Sequence, residues 1–519
     1  MKTITLTLKS QQPILATSFQ GDPNSDVSYS YIPGSMIRGA IVGRYMRQHH
    51  LSELDLTNEK VKRLFFDANT TRYLNAYFLS YEKQPQRTLP LPLCWFKDKG
   101  EELTDDSSIT VYDFSIDRGD DPETPKSVGE YFWTKERGVV KLYNEKRRIN
   151  IHNFRDRQKG RSTDNQGEIF RYDALDAGQK FQSVILCEDE DVITIQMLLV
   201  TEPNIWLGGS QSAGYGHTKI IDLKILDNWN EIGIPAEDRE NGESLSITLL
   251  SDTLLRNECG QPVADPMLIK QAVEEVLNIS LPEPSNIFAG STLIGGFNRK
   301  WGLPLPQVPA FTAGTAIVFK GVEINESQIQ QLEAQGIGEK REDGFGRIAV
   351  NWLQDEKFTV SLAKPSSSST SLKKEGSRFL AEQMAQRLLE QKLEQYLQKE
   401  VEPLSLQEGI SNSQLSRLQS VARQGLSNGD FSLVISLLNN LPSKAKNQFE
   451  RTKIGDKSFR QQLDEWLSNP TDWINGIEVR IADIERKFDD DRAREDKLAE
   501  KYTLRLIMAV AKKATKEKK

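Results

Sequence analysis

Two aspartates, Asp22 and Asp26, lie in the polar run Gly21-Asp-Pro-Asn-Ser-Asp, a few residues before Tyr31-Ile-Pro-Gly-Ser-Met-Ile-Arg-Gly. Pro33 and Gly34 break the extended segment that precedes them. Ser35 is placed to accept a bond from the amides of a new helix, and an apolar period of Met36, Ile37, Ala40, Ile41 and Tyr45 follows. A helix start carries a positive end, and Arg38, Arg44 and Arg47 sit on or near this helix, so the layout suits a phosphate. A carboxylate beside that phosphate could orient a hydroxyl nucleophile or hold a divalent ion. The plainer reading is a capped helix after a surface loop.

Three other stretches carry chemistry. Between Lys141 and Arg171 lie Lys146, Arg147, Arg148, Arg155, Arg157, Lys159 and Arg161, interleaved with His152, Phe154 and Phe170. Guanidinium groups neutralise phosphate and aromatic rings stack on exposed bases, which is what single-stranded or kinked nucleic acid needs. A solvated charged face is the alternative. The second stretch, Trp206 to Ile220, holds Gly208, Gly209, Ser210 and Gln211 in a glycine-rich loop whose backbone can approach phosphate. It lacks the Lys-Ser/Thr ending of a nucleoside-triphosphate loop and returns to strand, so it is read as a phosphate-contacting loop between strands or as a plain glycine hairpin. The third is a pair: Asn298, Arg299, Lys300 and Trp301 beside a proline-kinked segment, and Lys340 and Arg341 in a second glycine-rich loop, Gly336 to Gly346.

Histidine and cysteine chemistry is thin. His49, His50, His152 and His217 have no carboxylate or cysteine at a spacing that reads as a triad or metal cluster. Cys94, Cys187 and Cys259 are scattered and read as buried small hydrophobes rather than a disulfide framework. No metal ligand set is legible.

The elements that must position these residues fall into three blocks. With 519 residues the chain exceeds one hydrophobic core, so two to four domains are expected. Residues 1–228 read as strand, helix and strands, with an irregular acidic insertion over 98–133 and further strands over Gln179–Cys187 and Asp191–Thr201. Residues 243–357 repeat the order of strand, helix, glycine loop and strand. Residues 358–372 form a Ser-rich linker, and 373–519 carry only helical periods, including one over Asp472–Phe488, and read as an α-helical bundle.

Charge is mixed, with a net value of -7, so a nucleic-acid case rests on local patches rather than on the whole chain. Mean hydropathy is -0.53 and no apolar run approaches the ~20 residues of a membrane span. The start, Met-Lys-Thr-Ile-Thr-Leu-Thr-Leu-Lys, alternates like a strand and lacks the features of a secretory signal, so a cytoplasmic protein is expected.

Tyr31-Ile-Pro-Gly-Ser-Met-Ile-Arg-Gly resembles the helix-start signature of the RAMP proteins of CRISPR-Cas systems, and Gly208–Gly216 and Gly336–Gly346 resemble their glycine-rich loops. Ser251-Asp-Thr-Leu-Leu-Arg, Asn298-Arg-Lys-Trp-Gly-Leu-Pro and Gly338-Glu-Lys-Arg-Glu-Asp-Gly-Phe-Gly-Arg are similar to the type III-D branch. The resemblance covers Met1 to about Asn351. It implies an α+β chain of two modified ferredoxin-like, RRM-like domains followed by the helical bundle. The first would be of backbone type, with a thumb hairpin at Lys146–Arg171. The second would hold the 5′ tag of a CRISPR guide RNA, and the bundle resembles the small helical effector subunit. Guide RNA, target RNA and other CRISPR effector subunits are the implied partners, with no membrane and no small-molecule substrate. In that family an aspartate before the Ile-Pro-Gly-Ser segment cuts target RNA with a divalent metal, here taken as Mg; Asp26 matches that place best and Asp22 is the substitute. Two other readings stand beside it: an architectural RNA-binding subunit that does not cut, and a stand-alone guide-processing nuclease with a histidine base.

Overall fold

The computed structural model describes residues 1–517 apart from 20, 22–23, 83, 105–106, 117–118, 120, 137, 154–168, 240–243, 299–301, 354, 365–371, 373, 408, 475 and 489–496. Asp22, Arg155, Arg157, Lys159, Arg161, Arg299, Lys300, Trp301 and the core of the Ser-rich linker lie outside the described residues. The chain divides into two compact units, Met1–Ser366 and Ser367–Lys519.

The first unit holds two ferredoxin-like domains, as expected for an α+β chain. In the first domain β1 (Lys2–Ser10) lies between His217–Leu226 and Lys180–Cys187, and β3 (Thr71–Tyr73) flanks the latter, all antiparallel. Numbered along a β-α-β-β-α-β path, the order is 4-1-3-2. In the second domain Ser244–Leu249, Asn286–Phe288, Ala316–Lys320 and Ile348–Val350 reproduce that order. The two helices of the first domain are α1 (Gly34–Gln48) and Asp189–Val200. The first buries Ile37, Ile41 and Tyr45, and the second buries Val192, Ile195, Leu198 and Leu199. That second helix corrects the strand expected over Asp191–Thr201. Its apolar run is continuous, but only positions at helical spacing are covered, while Ile193, Met197 and Val200 face out.

The acidic segment 98–133 is also not the irregular loop expected of it. Ser108–Asp113 alternates with Ile109, Val111 and Asp113 inward, and joins a seven-stranded sheet. Lys357–Leu362 lies inside that sheet, parallel to Val139–Tyr143 and antiparallel to Ser108–Asp113. Residues 358–362, expected in the linker, are therefore a strand that ties the end of the second domain into the insertion of the first. Trp133 stacks on Trp352 at 5.0 Å and 11° across the same join. A buried ion triad adds to it: Glu231, its side chain 3% exposed, meets Arg87 at 3.1 Å and Arg347 at 2.7 Å. Burial alone would raise its pKa, but Arg347 and Arg87 outweigh burial and hold the carboxyl below its ordinary value.

The second unit is mainly helical, over Glu375–Val401, Asn412–Asn428, Ser432–Asn439, Ser443–Arg451, Phe459–Ser468 and Leu498–Glu517. The helix expected over Asp472–Phe488 is instead a hairpin of Glu478–Ile481 and Ile484–Lys487, turned at Ala482 with φ 55°. Val479, Ile484, Arg486 and Phe488 are its buried members, so its period is that of a strand.

Candidate nucleic-acid interface

Asp26 sits not in a loop but in β2 (Ser25–Val27), the edge of a three-stranded sheet completed by the hairpin Arg147–Asn153 and Ile169–Leu175. The pairing with the hairpin is parallel and sets Asp26 opposite Tyr172. Side chains alternate across a strand, so Asp26 shares a face with Tyr172, Phe170, Asn150 and His152. The opposite face carries Ile149, Ile151 and Ile169, all exposed. Asp26 is half-buried, and that burial raises its carboxyl above the ordinary aspartate pKa.

Four rings gather on the Asp26 face. His152 stacks on Phe170 at 5.5 Å and 15°, and Tyr172 packs 4.7 Å from His152 and 5.1 Å from Phe170. Tyr215, from the first glycine loop, closes the group: its Oη accepts from Asn150 Nδ2 at 2.8 Å and bonds His152 Nε2 at 2.7 Å. Ser210 Oγ donates to Tyr172 Oη at 2.9 Å. The hairpin base, the glycine loop and Asp26 thus form one surface. The half-covered rings of His152, Phe170 and Tyr172 can stack bases while the loop backbone meets phosphate.

That loop turns through Ser210 in the left-handed region at φ 51°, a short 3-10 turn Gln211–Ala213, and Gly214 at φ 88°. Gln211 and Gly214 are exposed. Gly208 is required, because a Cβ there would fall 2.3 Å from the Leu15 carbonyl oxygen.

The basic residues divide. Arg47 is exposed, with Glu202 3.9 Å away. Arg148 is half-exposed and pairs with Asp176 at 2.9 Å. Arg147 is committed to Asp173 at 2.8 Å, Glu145 at 2.7 Å and the Ser28 carbonyl. Arg44 does not take the phosphate-contacting place expected of it: it is buried and donates to the carbonyls of Leu198, Leu199 and Asn204. Arg38 is likewise turned inward, to the Phe65 carbonyl and to Asp343.

The start of α1 is the largest departure from expectation. Pro33 rather than Ser35 is the N-cap, and no side chain of the start caps it. Gly34 N–H donates to Asn75 Oδ1 at 2.9 Å. The second glycine loop covers this helix start: a Cβ at Gly34 would fall 1.8 Å from the Tyr73 carbonyl and 2.5 Å from that of Asp343. The Asp343 carboxylate takes Arg38 Nε at 2.8 Å, so a side chain of the same unit fills the place expected for phosphate.

Lys340 and Arg341 lie in this second loop. Lys340 is left-handed at φ 55°, and Arg341 donates to the Gln335 carbonyl at 2.9 Å. Asn298 ends a second hairpin, Ser291–Asn298 with Leu303–Phe311, which exposes Leu293, Phe297 and Leu303. Residue-type patterns gave no sign of this hairpin because Pro304, Pro306 and Pro309 read as a kink; a two-stranded hairpin has free edges that tolerate them. Tyr172, Tyr215 and Asn150 were not singled out from sequence either. The signal available for Tyr215 is its place between Gly214 and Gly216, matching Phe345 between Gly344 and Gly346.

Among the described residues no group of three or more His, Cys, Asp or Glu could hold a metal ion, and no helix is long and apolar enough to cross a membrane.

No protein-family model matches the chain, and no curated protein matches it. Among solved structures it is similar to a chain of the type III-B Cmr-beta complex bound to cognate target RNA, at 11% identity and TM-score 0.34, covering 61% of this chain and 86% of that one. It is similar to a RAMP protein binding different RNA substrates, at 10% identity and TM-score 0.30, covering 67% of this chain and 99% of that one. It is also similar to a Cas6-related protein from Pyrococcus furiosus, at 10% identity and TM-score 0.30, covering 68% and 99%. Likeness at these values assigns no activity to this chain.

Proposed function

We propose that the chain is a subunit of a type III-D CRISPR effector that binds guide RNA and cleaves complementary target RNA at Asp26. The observation that carries this reading is the placement of Asp26 opposite Tyr172, at the base of a basic hairpin and on the face closed by the first glycine loop. In this reading the hairpin, including Arg148 and the undescribed Arg155, Arg157, Lys159 and Arg161, distorts the RNA, and Gly208–Gln211 meet its backbone. Asp26 orients the attacking 2′-hydroxyl, the distortion supplying most of the in-line geometry. The second domain, through Asn298 to Trp301, holds the 5′ tag, the helical unit serves as the small subunit, and other effector subunits complete the particle.

A magnesium ion fits Asp26 only as a partner of the RNA. One carboxylate is a sufficient protein ligand for Mg²⁺ when waters and substrate phosphates complete the shell. When bound it would neutralise charge at the scissile phosphate.

The test is Asp26→Ala in the assembled complex, with cuts mapped on target RNA. Loss of one cut by at least ~100-fold, with guide content and target binding kept, is expected. Because burial raises the Asp26 pKa, the acid limb of the remaining wild-type profile at that cut should lie above the ordinary aspartate value. An unchanged cut pattern would favour the scaffold reading.

A further inference from the structure

The two glycine loops are copies of one backbone device, 130 positions apart. Ser210 and Lys340 are both left-handed, the turns Gln211–Ala213 and Arg341–Asp343 are both 3-10, and Gly214 and Gly344 have φ 88° and 87°. Their anchors match as well: Gly209 N–H donates to the Leu15 carbonyl at 2.9 Å and Glu339 N–H to that of Leu254 at 3.0 Å. Gly216 N–H donates to Pro13 and Gly346 N–H to Asp252.

What the two tips meet differs. In the second loop Gly344 lies against the first domain's β3 end, where a Cβ would fall 2.7 Å from the Tyr73 carbonyl and 2.9 Å from Asn75 N. Asp343 beside it is buried against Arg38. In the first loop Ala213 and Gly214, the same two positions, are exposed, and no described atom lies within 4 Å of a Cβ built on Gly214.

The contact made by the second loop is heterologous: a loop tip from the second domain seats on the helix start of the first. Such a contact extends in one direction until a half-site is missing. Each domain offers one tip and one start. The second domain's start is closed: Asp265 caps it by accepting from Met267 N at 3.0 Å, and Pro266 stands at its first helical position where the first domain has Gly34. The first domain's start is filled by Asp343. Among the described residues the first loop alone is left open.

We infer that the first glycine loop docks on the helix start of a ferredoxin-like domain in a different polypeptide, reproducing between chains the contact that the second loop makes within this one. A second copy of this chain does not serve, because both of its helix starts are already satisfied and Ala213 has no carboxylate for Arg38. The partner therefore presents a glycine at its helix start, with no arginine in need of a carboxylate at the Arg38 position. This inference rests on the internal copy and not on Asp26, so subunit content tests it separately from cleavage.

The experiment places a benzophenone amino acid at Ser212 of the full chain in the particle purified with its RNA and other subunits, and maps the photoproducts. Expected are products with a different polypeptide, within the first helical turn of a ferredoxin-like domain. Products with RNA alone, with a second copy or with this chain's own helical unit would overturn it, as would none at all. In parallel, Ala213→Arg should reduce retention of that polypeptide at least tenfold on gel filtration with the melting temperature of the isolated chain unchanged; full retention would also overturn the inference.

Discussion

The two glycine loops share a backbone and differ in what covers their tips. In the first, Gln211, Ser212, Ala213 and Gly214 are exposed, and the loop's inner face holds the hairpin through the Tyr215 hydroxyl. In the second, Asp343 and Gly344 are buried against α1 and β3, and Phe345 packs on the cluster of Leu254 with Ile294 and Ala310 of the second hairpin. Glycine spacing therefore specifies a backbone path and nothing about its occupant. The residues between the glycines decide that: small and neutral where the tip is left open, acidic and basic where it locks two domains together.

The comparison can be broken most forcefully at its matching glycines. Gly344→Ala should destabilise the first unit by at least ~3 kcal/mol, since its Cβ meets the backbone of Tyr73 and Asn75 in a left-handed conformation. Gly214→Ala carries the same φ penalty without the overlap, about 1 kcal/mol. Denaturant unfolding of both variants measures the gap; equal losses would mean that the second tip is no more packed than the first.

The next largest effect is in the pH dependence of the docked loop. Burial pushes the Asp343 carboxyl up to about 6 against the opposing pull of Arg38. Between its ordinary value of 3.8 and about 6 the folded chain holds a proton there that the unfolded chain has released. Wild type accordingly gains stability from this group as pH falls from 7 through that window, and Asp343→Asn does not. The wild-type minus Asn difference should move toward wild type by up to ~1.4 kcal/mol per pH unit there, read from melts at matched ionic strength. A flat difference would show that the carboxyl titrates as a solvated one.

How much of this was legible in the sequence depends on whether the deciding partner was local. The repeated order of strand, helix, glycine loop and strand was readable from local periods, whereas the ferredoxin-like fold was implied by the family resemblance alone, since the continuous apolar run of the first domain's second helix, Asp189–Val200, reads as a strand. The site was partly readable: Asp26, the basic segment and the glycine loop were visible as types, and they do meet. Their meeting through a parallel strand pair, Asp26 opposite Tyr172, was not readable, since β2 is three residues long and has no pattern of its own. The fates of Arg38 and Arg44 were hidden for the same reason. Arg38 faces Asp343, 305 positions away, and Arg44 faces carbonyls of a helix misread as a strand. The strand Lys357–Leu362 was lost because its neighbours, Ser108–Asp113 and Val139–Tyr143, lie more than two hundred positions back.

The smallest expected effect is the most specific. Tyr215 and Phe345 occupy equivalent places, and one hydroxyl separates them. Tyr215 Oη joins Asn150 and His152 on the hairpin strand that carries Arg147 and Arg148, whereas Phe345 holds its hairpin by apolar contact alone. Tyr215→Phe keeps the ring on Leu15 and Ala174 and removes two hydrogen bonds, at a cost of about 1 kcal/mol. Global melting should hardly move, because the hairpin is an appendage of the core sheet. Amide exchange over Arg147–Asn153 should instead quicken severalfold, while exchange over Ser291–Asn298 stays as it was. The reverse change, Phe345→Tyr, gains no such partner among Leu254, Ile294 and Ala310 and should not slow exchange in the second hairpin. If Tyr215→Phe left exchange in the first hairpin unchanged, the hydroxyl would be incidental, and the loop and the Asp26 face would be neighbours rather than one surface.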